Sequence, residues 1–491
     1  KSYVDMTLKA LELGEQRAKL LAEGKTPWRD RPGGTAHGYV SEVDGSVQPY
    51  ALYVPESYNG QTPMRLDVVL HGRNGTLTES SFIAAHEGKP YPDGETGLVL
   101  HVYGRGNNAY RWAGETDVFE AMKAVERNYR VDPRRVLLRG FSMGGAGAWH
   151  LGLHHPREWC SVEAGAGFSE SKNYAKLKDL LDCQDKTLHI YDAEDYALNA
   201  FNVPIAGYGG EQDPQLQASE NILKALLALG FEMNQDGLVT RAKSIDFIRV
   251  IGAKMGHKID PASAEILKEF RDKHAEAAQD LRPDSVQFVT YTLAYNQAPW
   301  LQVEGLKQHY DRTLVEAHID DDNDTLVVTK WDNVAFLSIN RDVAATVRFG
   351  DDAFPLRPAV GGLLPNVTFQ KVENGWHQLD YDESRALQLN AKRQKRPGLQ
   401  GPIDHAFTGP FLCVRGTGRA WNPNVQSWAD ARLERFQKEW KTYMRGEVRV
   451  KDDDDLTQED IDNHHLILFG DPGSNRKIAE LAGILPLSWT R

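Results

Sequence analysis

Apolar positions in the first half of the chain fall into short continuous runs, and stretches of helical spacing lie between them. Residues 65–70, 136–138, 202–208 and 245–251 are compact apolar runs of the length and composition expected of buried parallel strands. Between them, Val118, Met122 and Val125 share one face of a helix that Asp117 can cap and that runs to about Tyr129. Ala146, Ala148, Trp149, Leu151 and Leu153 continue as a helix that stops at Pro156. Leu216, Ile222, Leu223, Leu226 and Leu227 mark another over 215–229, and a further one starts near Pro261. Alternation of this kind predicts a doubly wound α/β sheet. Residues 39–43 and 48–54 flank Asp44-Gly45, a hairpin signal that places two antiparallel strands at the sheet edge.

Ahead of this region Val4, Leu8, Leu11, Ala18 and Leu21 recur at helical spacing, which predicts a helix packed on the following domain through that stripe. A Pro/Gly-rich connection over 28–34 follows it. After His274 the period changes to two, over 285–295, 312–319, 325–330 and 334–340, with Asp321 to Asp324 as a turn, so a small β-sandwich is expected at 284–375. The basic stretch 392–398 reads as an exposed linker. Beyond it, strands at 411–415 and 465–470 and helices near 424–444 and 475–482 predict a small C-terminal α/β lobe over 400–491. The expected organisation is therefore an N-terminal helix and connection (1–34), an α/β domain (35–280), a sandwich and a terminal lobe.

The most specific chemistry lies where the run at 136–138 meets the next helix. Gly140-Phe141-Ser142-Met143-Gly144 is a Gly-X-Ser-X-Gly turn between strand and helix, the form of a nucleophile elbow, and the glycines two places on either side let so sharp a turn exist. An elbow of this kind is followed by an acid and then a histidine, each on a loop after a strand. Asp213 sits between the run at 202–208 and the helix at 215–229, although Glu211, Asp192, Glu194 and Asp195 are neighbouring carboxylates that could serve instead. His257 lies in the small-residue loop between 245–251 and the helix from Pro261. His154-His155, at the end of the elbow helix, are assigned to that helix's terminal carbonyls. Two amides are needed for a developing oxyanion, and Met143 and Arg73 are the candidates, the latter in the His71-Gly72-Arg73 loop after 65–70. Tyr110 and Trp112, just before the 117–129 helix, are candidate substrate-binding aromatics.

Taken together, His71-Gly72, the Asp117 helix with Asp132 to Val136 behind it, the elbow, Asp213 and Gly256-His257 resemble the prolyl-oligopeptidase-like and polyhydroxybutyrate-depolymerase-like serine esterases of the α/β-hydrolase superfamily. The resemblance spans about Tyr39 to His274. It implies an α/β-hydrolase fold and a Ser142-His257-Asp213 triad acting through an acyl-enzyme with no metal or cofactor. The substrate implied is a small-molecule or polysaccharide ester, acetyl or feruloyl. The acid loop departs from the family in lacking the valine-proline pair after its aspartate, and the chain has no room for an N-terminal β-propeller. Serine peptidase and non-catalytic carbohydrate-binding scaffold remain the alternatives.

Composition narrows the partners. With 491 residues, 41% hydrophobic and 26% charged, the chain can bury several cores. A net charge of −12 argues against nucleic acid as the main partner, because phosphate binding needs a basic face. No apolar run approaches the ~20 residues of a membrane span. Lys451 to Asp455 lacks the spaced ligands of a calcium loop and reads as a solvated helix start, and 470–475 lacks a P-loop lysine. Cys160, Cys183 and Cys413 fit no zinc spacing; the first two are close enough in sequence to pair. A chain beginning at Lys1, with a resemblance to exported hydrolases, suggests an extracytoplasmic protein.

Overall fold

Alternating strands and helices build one ten-stranded sheet. In the computed structural model, which describes residues 2–356, 365–389 and 394–489, the strands are β1 (Gly33–Val40), β2 (Val47–Val54), β3 (Met64–Leu70), β4 (Leu98–Val102), β5 (Val131–Phe141), β6 (Ser161–Gly165), β7 (Ile205–Gly210), β8 (Met233–Asp236), β9 (Val239–Ala242) and β10 (Phe247–Gly252). Their order across the sheet is β1-β2-β4-β3-β5-β6-β7-β10-β9-β8. The block from β4 to β10 is parallel, with antiparallel hairpins at both edges: β1 with β2, Tyr39 opposite Gln48, and β8 with β9. This is the α/β-hydrolase arrangement expected from the sequence, and it sends the ends of β3, β5, β7 and β10 to one edge of the sheet.

The helices are α1 (Tyr3–Ala22), α2 (Glu79–His86), α3 (Ala113–Asn128), α4 (Met143–His154), α5 (Asp182–Leu188), α6 (Gln217–Ala228) and α7 (Pro261–Ala277). Every residue of α4 is buried, which explains its lack of a polar face. Trp149 and Trp159 anchor the core around it.

Several expectations change. Helix α3 begins at Ala113, so Asp117 is not its cap: it lies buried within the helix, accepting the Tyr39 hydroxyl and facing Arg105 at 3.4 Å. Strand β7 runs through Gly209 and Gly210, which pair with Ile251 and Gly252. A Cβ on either glycine would strike Leu216 or the Met255 backbone, so these glycines mark close packing rather than a loop. Helix α1 docks, but not through its predicted stripe. Val4, Leu8, Leu11 and Leu21 are exposed, and the half-buried face is Met6, Ala10, Leu13, Arg17 and Leu20. Arg17 decides this choice, with its guanidinium pairing Glu87 at 3.0 Å and donating to the Ala36 carbonyl at 2.6 Å.

From Ser285 to Gln378 two five-stranded sheets face each other, one made of Ser285–Thr290, Thr313–Asp320, Thr325–Asp332, Thr346–Phe349 and Asp352–Pro355. The other is made of Gln297–Ala298, Leu301–Leu306, Val334–Asn340, Asn366–Val372 and Gly375–Gln378. Phe288, Leu337 and Phe369 fill the space between them. Part of the predicted 392–398 linker lies outside the described residues. In the terminal lobe Phe411–Arg415 pairs in parallel with Val450–Asp452 and His465–Phe469, backed by the helix Pro423–Tyr443. Phe411, Leu433 and Trp440 of this lobe share a core with Val43 and Ala113 of the large domain. The predicted solvated helix start is instead a tight turn over Asp453–Asp455. Asp453 is buried there and accepts from the amides of Thr417 and Arg476. Cys160 is buried, Cys183 is exposed and both are free thiols. Among the described residues no helix is long and apolar enough to cross a membrane.

Candidate active site

The elbow at the end of β5 is sterically locked. Ser142 holds φ 62°, a left-handed conformation that a non-glycine residue adopts only when its surroundings enforce it. Its amide donates to the Gly165 carbonyl at 2.9 Å, and its carbonyl accepts from Ala146 at 3.0 Å. A Cβ on Gly140 would collide with the Gly144 carbonyl, one on Gly144 with the Leu70 carbonyl, and one on Gly145 with the Gly165 carbonyl. The motif's glycines are therefore where β3, β5, β6 and α4 nearly touch.

Strand β7 delivers Asp213 and β10 delivers His257. The carboxylate of Asp213 is divided between two tasks: Oδ1 caps the turn at Pro214–Leu216 by accepting from Gln215 N at 3.0 Å, and Oδ2 accepts the His257 Nδ1 proton at 2.7 Å. With Nδ1 donating, Nε2 is left to accept the Ser142 hydroxyl, and the two atoms lie 2.8 Å apart. The imidazole rests against the Phe141 ring, centroids 4.8 Å apart, and Asp213 is buried behind it. A hydroxyl, an imidazole and a buried carboxylate in line can move a proton off the oxygen and stabilise the imidazolium that results.

Three of the other carboxylates near this loop are engaged elsewhere. Asp192 accepts from Ser171 Oγ at 2.6 Å, Asp195 from His189 Nδ1 at 2.7 Å and Glu211 from the Lys254 amide at 2.7 Å. Burial pushes Asp192 up to about 6 and Glu194 up to about 7, the latter helped by the charges of Asp195 and Glu170.

Met143 opens α4 beside Ser142, and Arg73 lies in the loop after β3. Among the described residues neither amide donates to a protein acceptor. Gly72 brings that loop against the elbow, where a Cβ would sit 3.5 Å from the Ser142 Cβ. The aromatic candidates fall differently. Tyr110 is fully buried, its hydroxyl 2.6 Å from the His71 amide and its ring under Gly147, so it supports the loop from below and is no cleft residue. Trp112 is 38% exposed and packs edge-on to Tyr191. His154 does bond a helix carbonyl, that of His150 at 2.7 Å, while His155 pairs with Glu115 at 2.7 Å.

One supporting residue has no signal in the sequence. Gln215 Oε1 accepts the Gly167 amide at 2.9 Å and so holds the chain that passes directly behind the Ser142 carbonyl. The contact joins residues 48 apart on different loops, beyond any spacing rule.

Residues 101–232, which span α3, the elbow and Asp213, match the family model described as Esterase. Solved structures similar to the chain include a ferulic acid esterase, with 17% identity over 49% of this chain and 96% of that one at a TM-score of 0.33. Another is FphF, a fluorophosphonate-binding serine hydrolase of Staphylococcus aureus, with 16% identity, 50% and 99% coverage and a TM-score of 0.35. An S-formylglutathione hydrolase from Agrobacterium tumefaciens has 19% identity, 50% and 94% coverage and a TM-score of 0.34. No curated protein matches the sequence. The roles of individual residues therefore rest on the geometry of the site.

Proposed function

We propose that the chain hydrolyses carboxylic esters through a covalent intermediate on Ser142. The observation that carries this reading is the continuous hydrogen-bonded line from Ser142 Oγ to His257 (2.8 Å) and from His257 to Asp213 (2.7 Å). His257 Nε2 takes the hydroxyl proton as Oγ attacks the ester carbonyl, and the Met143 and Arg73 amides hold the tetrahedral oxyanion. The imidazolium then returns its proton to the leaving alcohol. Water enters, gives a proton to His257 and attacks the acyl carbon; collapse frees the acid and restores the serine. Asp213 fixes the imidazole tautomer throughout.

The substrate class we assign is an acetyl or feruloyl ester, of an acylated polysaccharide or of a small alcohol. An aromatic surface supports it: Phe168 follows Gly167 behind the nucleophile and stacks on Tyr174 with centroids 4.2 Å apart. The test is a panel of acetyl, butyryl and feruloyl esters assayed beside aminoacyl and prolyl amides. Ester turnover far above amide turnover is expected; comparable rates on amides would replace this reading with a peptidase.

A further inference from the structure

The proposed oxyanion donor Arg73 is held between two anchors that come from one strained loop, and that loop is held by the C-terminal lobe. At one end Tyr110 Oη accepts from the His71 amide at 2.6 Å and returns a longer bond to the His71 carbonyl at 3.3 Å. At the other, the Asn107 side chain pairs with the backbone of Asn74 as a strand would, Nδ2 to the carbonyl and Oδ1 to the amide, both at 2.9 Å. His71 Nε2 adds a bond to the Tyr103 carbonyl at 2.9 Å. Arg73 thus lies between clamped positions 71 and 74.

The clamp comes from the segment after β4, where Gly104, Arg105, Gly106, Ala109, Tyr110 and Trp112 all have positive φ. Four of these carry side chains, and such a concentration of left-handed backbone persists only where tertiary contacts over-determine it. The main contact is Arg105, whose side chain is wholly buried. It donates to Asp44 at 2.8 Å, to Ser41 Oγ at 2.7 Å and, across to the C-terminal lobe, to the Met444 carbonyl at 3.1 Å. Asp44 in turn accepts from Trp440 Nε1 at 2.7 Å, and Gly446 lies so close to its carboxylate that a Cβ would collide. One residue on from Met444, Arg445 forms a two-point bond with Glu79, at 2.9 and 2.6 Å, in the first turn of the helix that follows the Arg73 loop. A buried charge network in which each member has partners is stiff, because breaking one bond strands the others in low dielectric.

We infer that the C-terminal lobe is a brace for the oxyanion loop, acting through Trp440, Asp44 and Arg105 on the 103–112 segment, with Tyr110 as the positioning residue that sets the Arg73 amide. The inference rests on the proposed esterase reading. It gives the lobe a role in the chemistry itself, since a donor displaced from an oxyanion loses most of its effect on the transition state while substrate binding is spared.

The experiment uses the full chain and 4-nitrophenyl acetate. Tyr110→Phe keeps the ring beneath Gly104 and Gly147 and removes only the hydroxyl. Trp440→Phe keeps the lobe's core and removes only the bond to Asp44. The expected result is a fall in kcat of about tenfold or more for Tyr110→Phe and a smaller fall of the same kind for Trp440→Phe. KM should stay within about twofold, the pH midpoint of kcat should not move, and the Ki of a trifluoromethyl ketone should rise by the same factor as kcat falls. A purely structural role would lower the melting temperature and leave kcat and Ki alone; that outcome, in either variant, overturns the inference. Absence of ester turnover in the wild-type chain would instead overturn the esterase reading, so the two failures are distinguishable.

Discussion

The acid is the residue whose assignment the sequence leaves most open, and the structure divides the five carboxylates by what they touch. Only Asp213 contacts His257; Asp192, Asp195 and Glu211 are occupied by Ser171, His189 and the Lys254 amide. Asp213→Asn preserves the shape but favours the wrong imidazole tautomer, so kcat should fall by up to about 10⁴ as in comparable triads. Asp195→Asn and Glu211→Gln should stay within a few-fold of wild type, measured at saturating ester with circular dichroism to confirm folding. A large loss confined to either of those would move the acid there. At this scale the serine, the histidine and the aspartate were legible because each stands on a loop between a recognisable strand and helix. Tyr110 was not: it lies in the right loop, but its burial depends on Gly104 and Gly147, which come from separate elements.

Among the elements, the elbow is readable since its glycines answer a steric demand, and that demand is measurable. Gly145→Ala puts a methyl into the Gly165 carbonyl, whereas the Cβ of Gly256→Ala, beside His257, meets nothing within 4 Å. We expect the first to cost about 1–3 kcal/mol or more and to lower the melting temperature by several degrees, and the second to leave it unchanged. Equal melting temperatures for the two variants would contradict this picture of the turn. Helix α1 shows where periodicity runs out. Its sequence offers two apolar faces, and hydrophobic spacing favours Val4, Leu8, Leu11 and Leu21, yet the helix turns the other face inward to let Arg17 reach Glu87 and the Ala36 carbonyl. A long-range ion pair selected the face, and Glu87 lies 70 residues away. The C-terminal end of β7 differs from its sequence pattern because Gly209 and Gly210 look like a loop and are paired strand.

For the whole molecule, the order of α/β domain, sandwich and terminal lobe follows from changes of hydrophobic period. How the pieces join does not, because each joint combines apolar packing with a specific long-range polar contact: Phe411 and Leu433 pack on Val43 and Ala113 beside the Arg105, Asp44 and Trp440 bonds, and Val289 packs into the large domain's core while its backbone bonds Asn199. Half-buried histidines set the expected response to acid. Burial holds His101 down at about 3 and His86 at about 4, both below the ordinary value near 6.5. Below that value the unfolded chain binds protons that the folded one refuses, so their contribution to stability is full above pH 6.5 and is lost as pH falls toward 3. The melting temperature of wild type should therefore approach that of His101→Gln as pH drops from 7 to 4. A gap that stayed constant would show that His101 does not titrate differently on unfolding.

The central claim is that Ser142 is a nucleophile activated by His257. It is tested most directly by treating the native chain with a fluorophosphonate and locating the adduct by peptide mass spectrometry. The account predicts stoichiometric, single-site modification of Ser142 in wild type, none at that position in Ser142→Ala, and labelling slowed by orders of magnitude in His257→Ala, with ester hydrolysis lost in step in both variants. An adduct on a different residue, or Ser142 labelled equally fast with and without His257, would contradict it.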